Sequence, residues 1–235
     1  MNSRFISLKG TKNTRDLGGY KTLDGKTTKY KVFLRSDNTD KLTSDDIKIL
    51  KNKYNVSTVI DLRNEFEIKS CKDKLSEAEG IKYFSFPITI SIQNMKNLIE
   101  NKTTLSDAYF DLINKKSIIK KLFKIIENSK DGAILFHCVH GKDRTGALSM
   151  ILLGLANVSK EDIVKDYEKT FELIKNEKYV KNGIEKNGLS LYQSLREYIE
   201  PVIDYIEQTF KTFEKYLIWC GVNNETISLV KSKFV

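Results

Sequence analysis

The residue types that could do chemistry gather in one stretch, His137-Cys138-Val139-His140-Gly141-Lys142-Asp143-Arg144-Thr145-Gly146. Consecutive backbone N–H groups in a tight loop form a nest that binds an oxyanion. The positive end of a following helix points at the same place. Val139, His140, Gly141 and Lys142 would supply that nest, and Gly141 permits backbone geometry that a Cβ would penalise. A thiol normally titrates near about 8.5, but a helix N-terminus and nearby cations lower it by one to several units. Cys138 has both, so it reads as a thiolate nucleophile. Arg144 lies where the loop returns, and its fork can hold two oxygens of a phosphoryl group bidentately. The same fork would stabilise the charge on those oxygens in the transition state. Lys142 adds a third positive source, and the Thr145 hydroxyl can donate to the cysteine sulfur and help it leave. The chain has 2 histidines and both lie here. His137 reads as orienting the loop through hydrogen bonds to backbone.

A Cys-x5-Arg pair alone is a weak signal. The fuller pattern His-Cys-x-x-Gly-x-x-Arg-Thr-Gly is strong, because it falls where a buried strand meets an apolar helix. Ala133-Ile134-Leu135-Phe136 is wholly apolar, as in a parallel sheet, and a helix is expected from about Arg144 to Leu155, with Gly146 letting its start pack closely. Val32-Phe33-Leu34-Arg35, Ser57-Thr58-Val59-Ile60-Asp61 and Ile81–Phe86 read as further strands. Thr43-Ser44-Asp45-Asp46 caps a helix expected to run through Lys53. Residues 91–128 read as helical in two or three pieces, with breaks near 101–104 and at Asn114. Everything after Ser159 reads helical: Ser159-x-x-Asp162 is a capping box, Pro201 suits a first helical turn, and 221–224 is a turn before a last helix. Aromatic residues Tyr198, Tyr205, Phe210, Phe213 and Tyr216 recur at helical spacing and are expected in the core. Strands separated by helices and followed by a helical tail indicate an α/β sheet with a helical cap.

The loop resembles the signature of cysteine-dependent protein tyrosine and dual-specificity phosphatases. Three more blocks narrow the resemblance: Asn13-Thr14-Arg15-Asp16-Leu17-Gly18-Gly19-Tyr20, Leu34-Arg35-Ser36-Asp37 and Val59-Ile60-Asp61-Leu62-Arg63. Together they are similar to the atypical bacterial tyrosine phosphatases that also accept phosphoinositides. This resemblance implies an α/β fold with a central parallel-type sheet flanked by helices, one domain over 1–235, a helical lid insert at about 90–114 and a helical C-terminal tail. It implies Cys138 as the nucleophile that forms a phosphocysteine, Arg144 as the phosphate-binding arginine and Asp143 as general acid. It also implies that Lys142 meets multiply charged headgroups and that Arg15 and Asp16 brace the loop. Asp107, 31 residues before Cys138, is the alternative general acid, by analogy with dual-specificity enzymes. His140 stands where the family often has a small residue; it either narrows the floor or adds a proton-dependent charge.

The 235 residues carry 40 Lys+Arg against 31 Asp+Glu, a net charge of +9, with 40% hydrophobic residues. That excludes collagen-like and disordered classes. No apolar run approaches the ~20 residues of a membrane span, and Lys9 interrupts any signal-like apolar stretch. The expected location is cytoplasmic, or secreted without an N-terminal signal. The 3 cysteines show no zinc spacing and no disulfide framework, so no metal and no cofactor are expected. Nine of the cations lie in residues 1–36, against two acidic residues. That bias reads either as a solvated surface or as a rim attracting anionic substrates, with peripheral contact to an anionic membrane surface. Phosphotyrosine proteins or phosphoinositides are the expected substrates of a monomer, with no stable nucleic-acid partner. The competing readings are an inositol-polyphosphate phosphatase, an RNA 5′-triphosphatase, and a catalytically silent phospho-ligand binding effector.

Overall fold

Val56–Asp61 and Ala133–His137, both rich in apolar residues, pair in parallel at the middle of a five-stranded sheet. The computed structural model describes residues 4–89, 104–129, 131–189 and 191–235. The strands are β1 (Arg15–Asp16), β2 (Phe33–Ser36), β3 (Val56–Asp61), β4 (Lys82–Ser85) and β5 (Ala133–His137), in the order β1-β2-β5-β3-β4. Neighbours run parallel except β1, which lies antiparallel to β2 at the edge. The exception follows from connectivity. Residues 17–32 hold no crossover helix, and without one a strand returns antiparallel.

Alternate strand residues face opposite sides of a sheet. Phe33, Ile60, Ile134 and Phe136 face the larger, helical core, whereas Leu34, Val59, Ala133 and Leu135 face a smaller one with Leu50 and Leu75. The described helices are α1 (Ser44–Lys48), α2 (Glu65–Ser70), α3 (Leu105–Asn114), α4 (Lys116–Glu127), α5 (Asp143–Leu155), α6 (Lys160–Ile174), α7 (Lys178–Asn187), α8 (Arg196–Phe210), α9 (Phe213–Trp219) and α10 (Asn224–Phe234). A π-type turn, Ile49–Lys53, carries α1 on to its expected end. The helix that starts at the loop, α5, is buried on every side from Thr145 to Leu153. That is why it shows no amphipathic pattern: the sheet lies on one side of it and α3, α6 and α9 on the others.

The caps fall where the sequence puts them. Thr43, Ser159 and Asn223 each accept a backbone N–H at the start of α1, α6 and α10. The expected breaks become the Thr104 cap of α3 and the Lys115 junction between α3 and α4. Of the lid insert expected at 90–114, residues 90–103 lie outside the described residues; the rest is α3, whose Leu105, Ala108, Tyr109, Leu112 and Ile113 are buried. Tyr198, Phe213 and Tyr216 are core residues, with Tyr205 and Phe210 packed against them. No helix among the described residues is long and apolar enough to cross a membrane.

Pro201 corrects one expectation: it lies inside α8, beyond the first turn. A proline there removes the N–H that would bond the carbonyl four residues back. That carbonyl belongs to Glu197, and the Ser106 hydroxyl of α3 donates to it at 2.9 Å. A side chain from a neighbouring helix thus fills the vacancy that sequence-local reasoning treats as prohibitive.

Candidate active site

β5 ends at His137 and α5 begins at Asp143, so the turn between them must reverse within five residues. Gly141 makes this feasible. Its φ is +65°, and a Cβ there would meet the Ser36 carbonyl at 2.6 Å and Asn13 Nδ2 at 2.7 Å. Those neighbours hold the outer side of the loop. Asn13 Nδ2 donates to the carbonyls of His140 (3.0 Å) and Gly141 (3.3 Å), Arg35 Nη2 to that of Gly141 (2.6 Å), and the Asn38 amide to that of Val139 (2.9 Å). In a trans peptide the N–H points opposite to the C=O. Anchoring these three carbonyls outward therefore turns the amides of His140, Gly141 and Lys142 toward the concavity, an arrangement suited to phosphate oxygens.

Cys138 is buried, 2% exposed. Arg144 closes the turn on the first residues of α5, and its guanidinium forks onto Glu67 of α2, with Nη1 to Oε2 at 2.6 Å and Nη2 to Oε1 at 2.8 Å. Burial works against the Arg144 charge, but Glu67, Cys138 and Asp143 outweigh it and hold the group more firmly protonated than usual. Glu67 serves twice, since Oε2 also accepts the Asn64 amide in the capping box of α2 (2.7 Å). The Thr145 hydroxyl is buried and has no hydrogen-bond partner among the described residues.

Asp143 accepts from the Tyr109 hydroxyl of α3 at 2.6 Å and lies 3.2 Å from Lys142 Nζ. The Tyr109 and Tyr167 hydroxyls are themselves 2.6 Å apart. Burial raises the Asp143 carboxyl, but Lys142, Tyr109 and His140 together leave it below its ordinary value. Lys142, expected at the substrate, is instead 1% exposed, and its ammonium donates to the carbonyls of Leu191 (2.7 Å) and Gln193 (3.1 Å). The α5 helix start takes the backbone of Lys142 into the turn while its side chain runs away beneath it. Asp107, the alternative acid, is exposed and accepts from the Thr104 amide and hydroxyl at 2.7 and 3.0 Å, as the cap of α3.

The two histidines separate cleanly. His137 is buried, with Nε2 2.7 Å from Asp73 Oδ2 and Nδ1 3.3 Å from the Cys138 carbonyl. Burial would lower its proton affinity, but Asp73 and Asp61 more than reverse that and raise it. It therefore orients the loop from a buried position between Asp73 and the Cys138 carbonyl. Asp61, Asp73 and His137 bring ligand-type atoms within 4.8 Å of one another. Arg63 and Tyr83 already occupy the Asp61 oxygens at 2.6–3.1 Å, so this is a hydrogen-bonded brace beneath the loop. His140 stacks against Tyr179 instead, and burial pulls its imidazole down to about 4. The proton-dependent charge considered for it is therefore absent near neutrality.

Arg15 lies in a buried hydrogen-bond network. It bonds Asn13, which holds the loop, and reaches α6 through Asp166 (Nε to Oδ1, 2.9 Å) and Thr170 (3.1 Å). Arg35 shares the same Asp166. Asp16 does not touch the loop: adjacent strand residues face opposite sides, and it accepts the amides of Gly18 and Lys31 at 2.8 Å each. Glu67, Asp73 and Asp166 escape sequence reading, and so does the partnership of Tyr109 with Asp143, although the sequence offers Tyr109 as a residue that lines or packs a lid. Only Glu67 has a local signal, the Asn64-x-x-Glu67 capping box.

The buried Cys138 and the Arg144 that follows it six positions on bracket a strand–loop–helix turn of Cys-x5-Arg spacing. More specifically, the model of the tyrosine phosphatase family matches residues 6–235, and the chain belongs to that family. It is 33% identical over 139 residues to a tyrosine-protein phosphatase from Nostoc commune, covering 58% of this chain and 47% of that one. The chain spans about half the length of the curated relatives it matches, 47% and 59%. Among solved structures it resembles the core catalytic domain of the PP-IP phosphatase SIW14 from S. cerevisiae, with a TM-score of 0.42 at 17% identity, over 77% of this chain and 88% of that one. It also resembles TpbA from P. aeruginosa, with a TM-score of 0.35 at 16% identity, over 59% and 71%.

Proposed function

We propose that the protein is a phosphomonoesterase that hydrolyses phosphotyrosine in proteins through a phosphocysteine, acting as a monomer and without a cofactor. The observation that supports the reading is the fork of Arg144, held by Glu67 beside a turn that begins at the buried Cys138 and whose carbonyls are anchored by Asn13, Arg35 and Asn38. In this mechanism the Cys138 sulfur attacks phosphorus, in line with the departing oxygen. Arg144 and the amides of His140, Gly141 and Lys142 hold the equatorial oxygens. Asp143 gives its proton to the leaving oxygen, then takes one from the water that cleaves the S–P bond. The Thr145 hydroxyl donates to the sulfur as it leaves.

Phosphoserine, phosphothreonine and phosphoinositides are the secondary substrates in this reading. Lys142, turned inward, supplies no headgroup contact in this state, which ranks phosphoinositides below phosphotyrosine. The test is hydrolysis of an aryl phosphate in excess chelator by wild type and Cys138→Ser. Activity that resists the chelator and disappears in the variant is expected. Activity that the variant keeps would overturn the mechanism, and inactivity of the wild type between pH 5 and 8 would favour a phospho-ligand binding effector.

A further inference from the structure

A cleft of about 570 Å³ opens between the N-terminal segment and α6, and its lining includes no residue of the 138–144 turn. One wall is a single face of α6. Asp162, Lys165, Asp166, Lys169 and Leu173 occupy its i, i+3, i+4, i+7 and i+11 positions, while Ile163, Val164 and Tyr167 turn into the core. Arg4 and Phe5 form the other wall, both exposed. Arg15, Tyr20 and Asp166 are buried and make the floor.

The charges here do not balance. At the floor two buried guanidiniums, those of Arg15 and Arg35, share the single carboxylate of Asp166, so this group holds one positive charge in excess. Burial and the Arg15 charge pull Arg35 down to about 10, which leaves it protonated at neutral pH. The excess grows at the rim. The Arg4 guanidinium rests on the Tyr20 ring, 3.9 Å from its centroid, and has no carboxylate partner among the described residues. Lys169 has none there either, because Glu172, three positions on, pairs with Lys175 at 2.8 Å. Lys165 has Glu161 at 3.4 Å, which the Arg196 fork already holds at 2.8 and 2.9 Å. Asp162, the acid on this rim, accepts from the Ser159 hydroxyl at 3.0 Å.

We propose that this cleft is a second anion site, separate from the phosphate loop, and that it takes an organic phosphate, a phosphate dianion on an apolar body. Arg4, Lys165 and Lys169 meet the oxygens, and the excess charge of the Arg15–Arg35–Asp166 group favours them from below. Arg4 is steadied by the Tyr20 ring without spending its N–H donors. Phe5, 42% exposed, and Leu173 cover the apolar body. A phosphate held here lies outside the Cys138 turn and is bound without being hydrolysed. The floor still reaches that turn: Arg15 donates to the Asn13 carbonyl at 3.2 Å, and Asn13 Nδ2 donates to the carbonyls of His140 and Gly141.

The probe is phenylphosphonate, whose P–C bond stands in place of a cleavable ester. Binding is followed through the urea midpoint, which a ligand of the folded state raises. The rise in wild type should combine both sites. In Lys169→Glu, exposed and outside the loop, the part due to the cleft should need about tenfold more ligand, the loss expected for one charge-assisted hydrogen bond. Arg144→Ala removes the fork of the loop and should keep a saturable rise, which Lys169→Glu should again shift in that background. If Arg144→Ala abolishes the rise, or Lys169→Glu leaves its concentration dependence unchanged, phosphonate binds only at the loop and the proposal fails. Inorganic phosphate should raise the midpoint of Arg144→Ala less than phenylphosphonate does, and an equal rise would overturn the organic class of ligand. None of these readouts involves turnover, so loss of the phosphatase reading would leave the test intact.

Discussion

Arg144 does not wait for phosphate as a free side chain. Glu67 holds both of its terminal nitrogens at 2.6 and 2.8 Å, so little conformational entropy is lost when phosphate arrives. Glu67→Ala should lower kcat/KM on an aryl phosphate by about tenfold and weaken inhibition by inorganic phosphate, readable in steady-state kinetics. A variant with unchanged kcat/KM would show that the fork needs no support. Asp143 offers a second test. Lys142 and the Tyr109 hydroxyl favour its charged form against burial, so it sheds its proton early. A general acid works only while protonated, and its loss sets the alkaline limb of the rate profile. Tyr109→Phe removes one donor to the carboxylate, raises its proton affinity and should move that limb to higher pH. A limb that stays in place would assign it to another group.

At the scale of elements, the loop is held by a helix that follows it in sequence. α6 offers Asp166, whose carboxylate meets both Arg15 and Arg35, all three essentially buried. Removing one partner of a buried pair leaves an uncompensated charge. Asp166→Asn should therefore cost about 3–5 kcal/mol in urea denaturation, where an unchanged midpoint would contradict the brace. Ser106→Ala strips the Glu197 carbonyl of the donor that Pro201 cannot supply, at about 1 kcal/mol. The same facts show what a sequence can disclose. The strand, the turn and the helix start are contiguous, so glycines, caps and apolar runs reveal them residue by residue. Asp166 lies 131 positions from Arg35, Glu67 lies 77 from Arg144 and Tyr109 lies 34 from Asp143. No periodicity links such pairs; only the packing of α2, α3 and α6 against the turn does. Lys142 misleads for the same reason, because its backbone belongs to the motif while its side chain belongs to the segment around Tyr192.

Across the whole molecule, buried acids set the response to pH. Burial pushes the Asp16 and Asp37 carboxyls up to about 6. Their folded values exceed the unfolded one near 3.9, so their contribution is complete below that and is lost as pH rises through about 6. His140, pulled down to about 4, acts in reverse: its contribution is present above the unfolded value near 6.5 and is lost as pH falls through about 4. The carboxyls held low in the fold, such as Glu67, Asp73 and Asp166, are ionised in both states above about 5.5, and there two carboxyls outweigh one imidazole, so the urea midpoint should decline as pH climbs from about 5.5 to 6.5. Asp37→Asn should flatten that slope, and a midpoint that rises over this range would refute the assignment.

The last helix closes onto the first strands. The Lys29 amide donates to the Phe234 carbonyl at 2.7 Å, its ammonium to those of Ser232 and Val235, and the Phe234 ring meets Phe33 edge-on at 5.0 Å. A ribosome delivers Phe33 some two hundred residues before Phe234. Throughout that interval the Phe33 ring lacks the edge contact that Phe234 gives it, and this side of β2 is completed only when residues near 234 emerge. Synthesis of this protein is thus a long wait at β2.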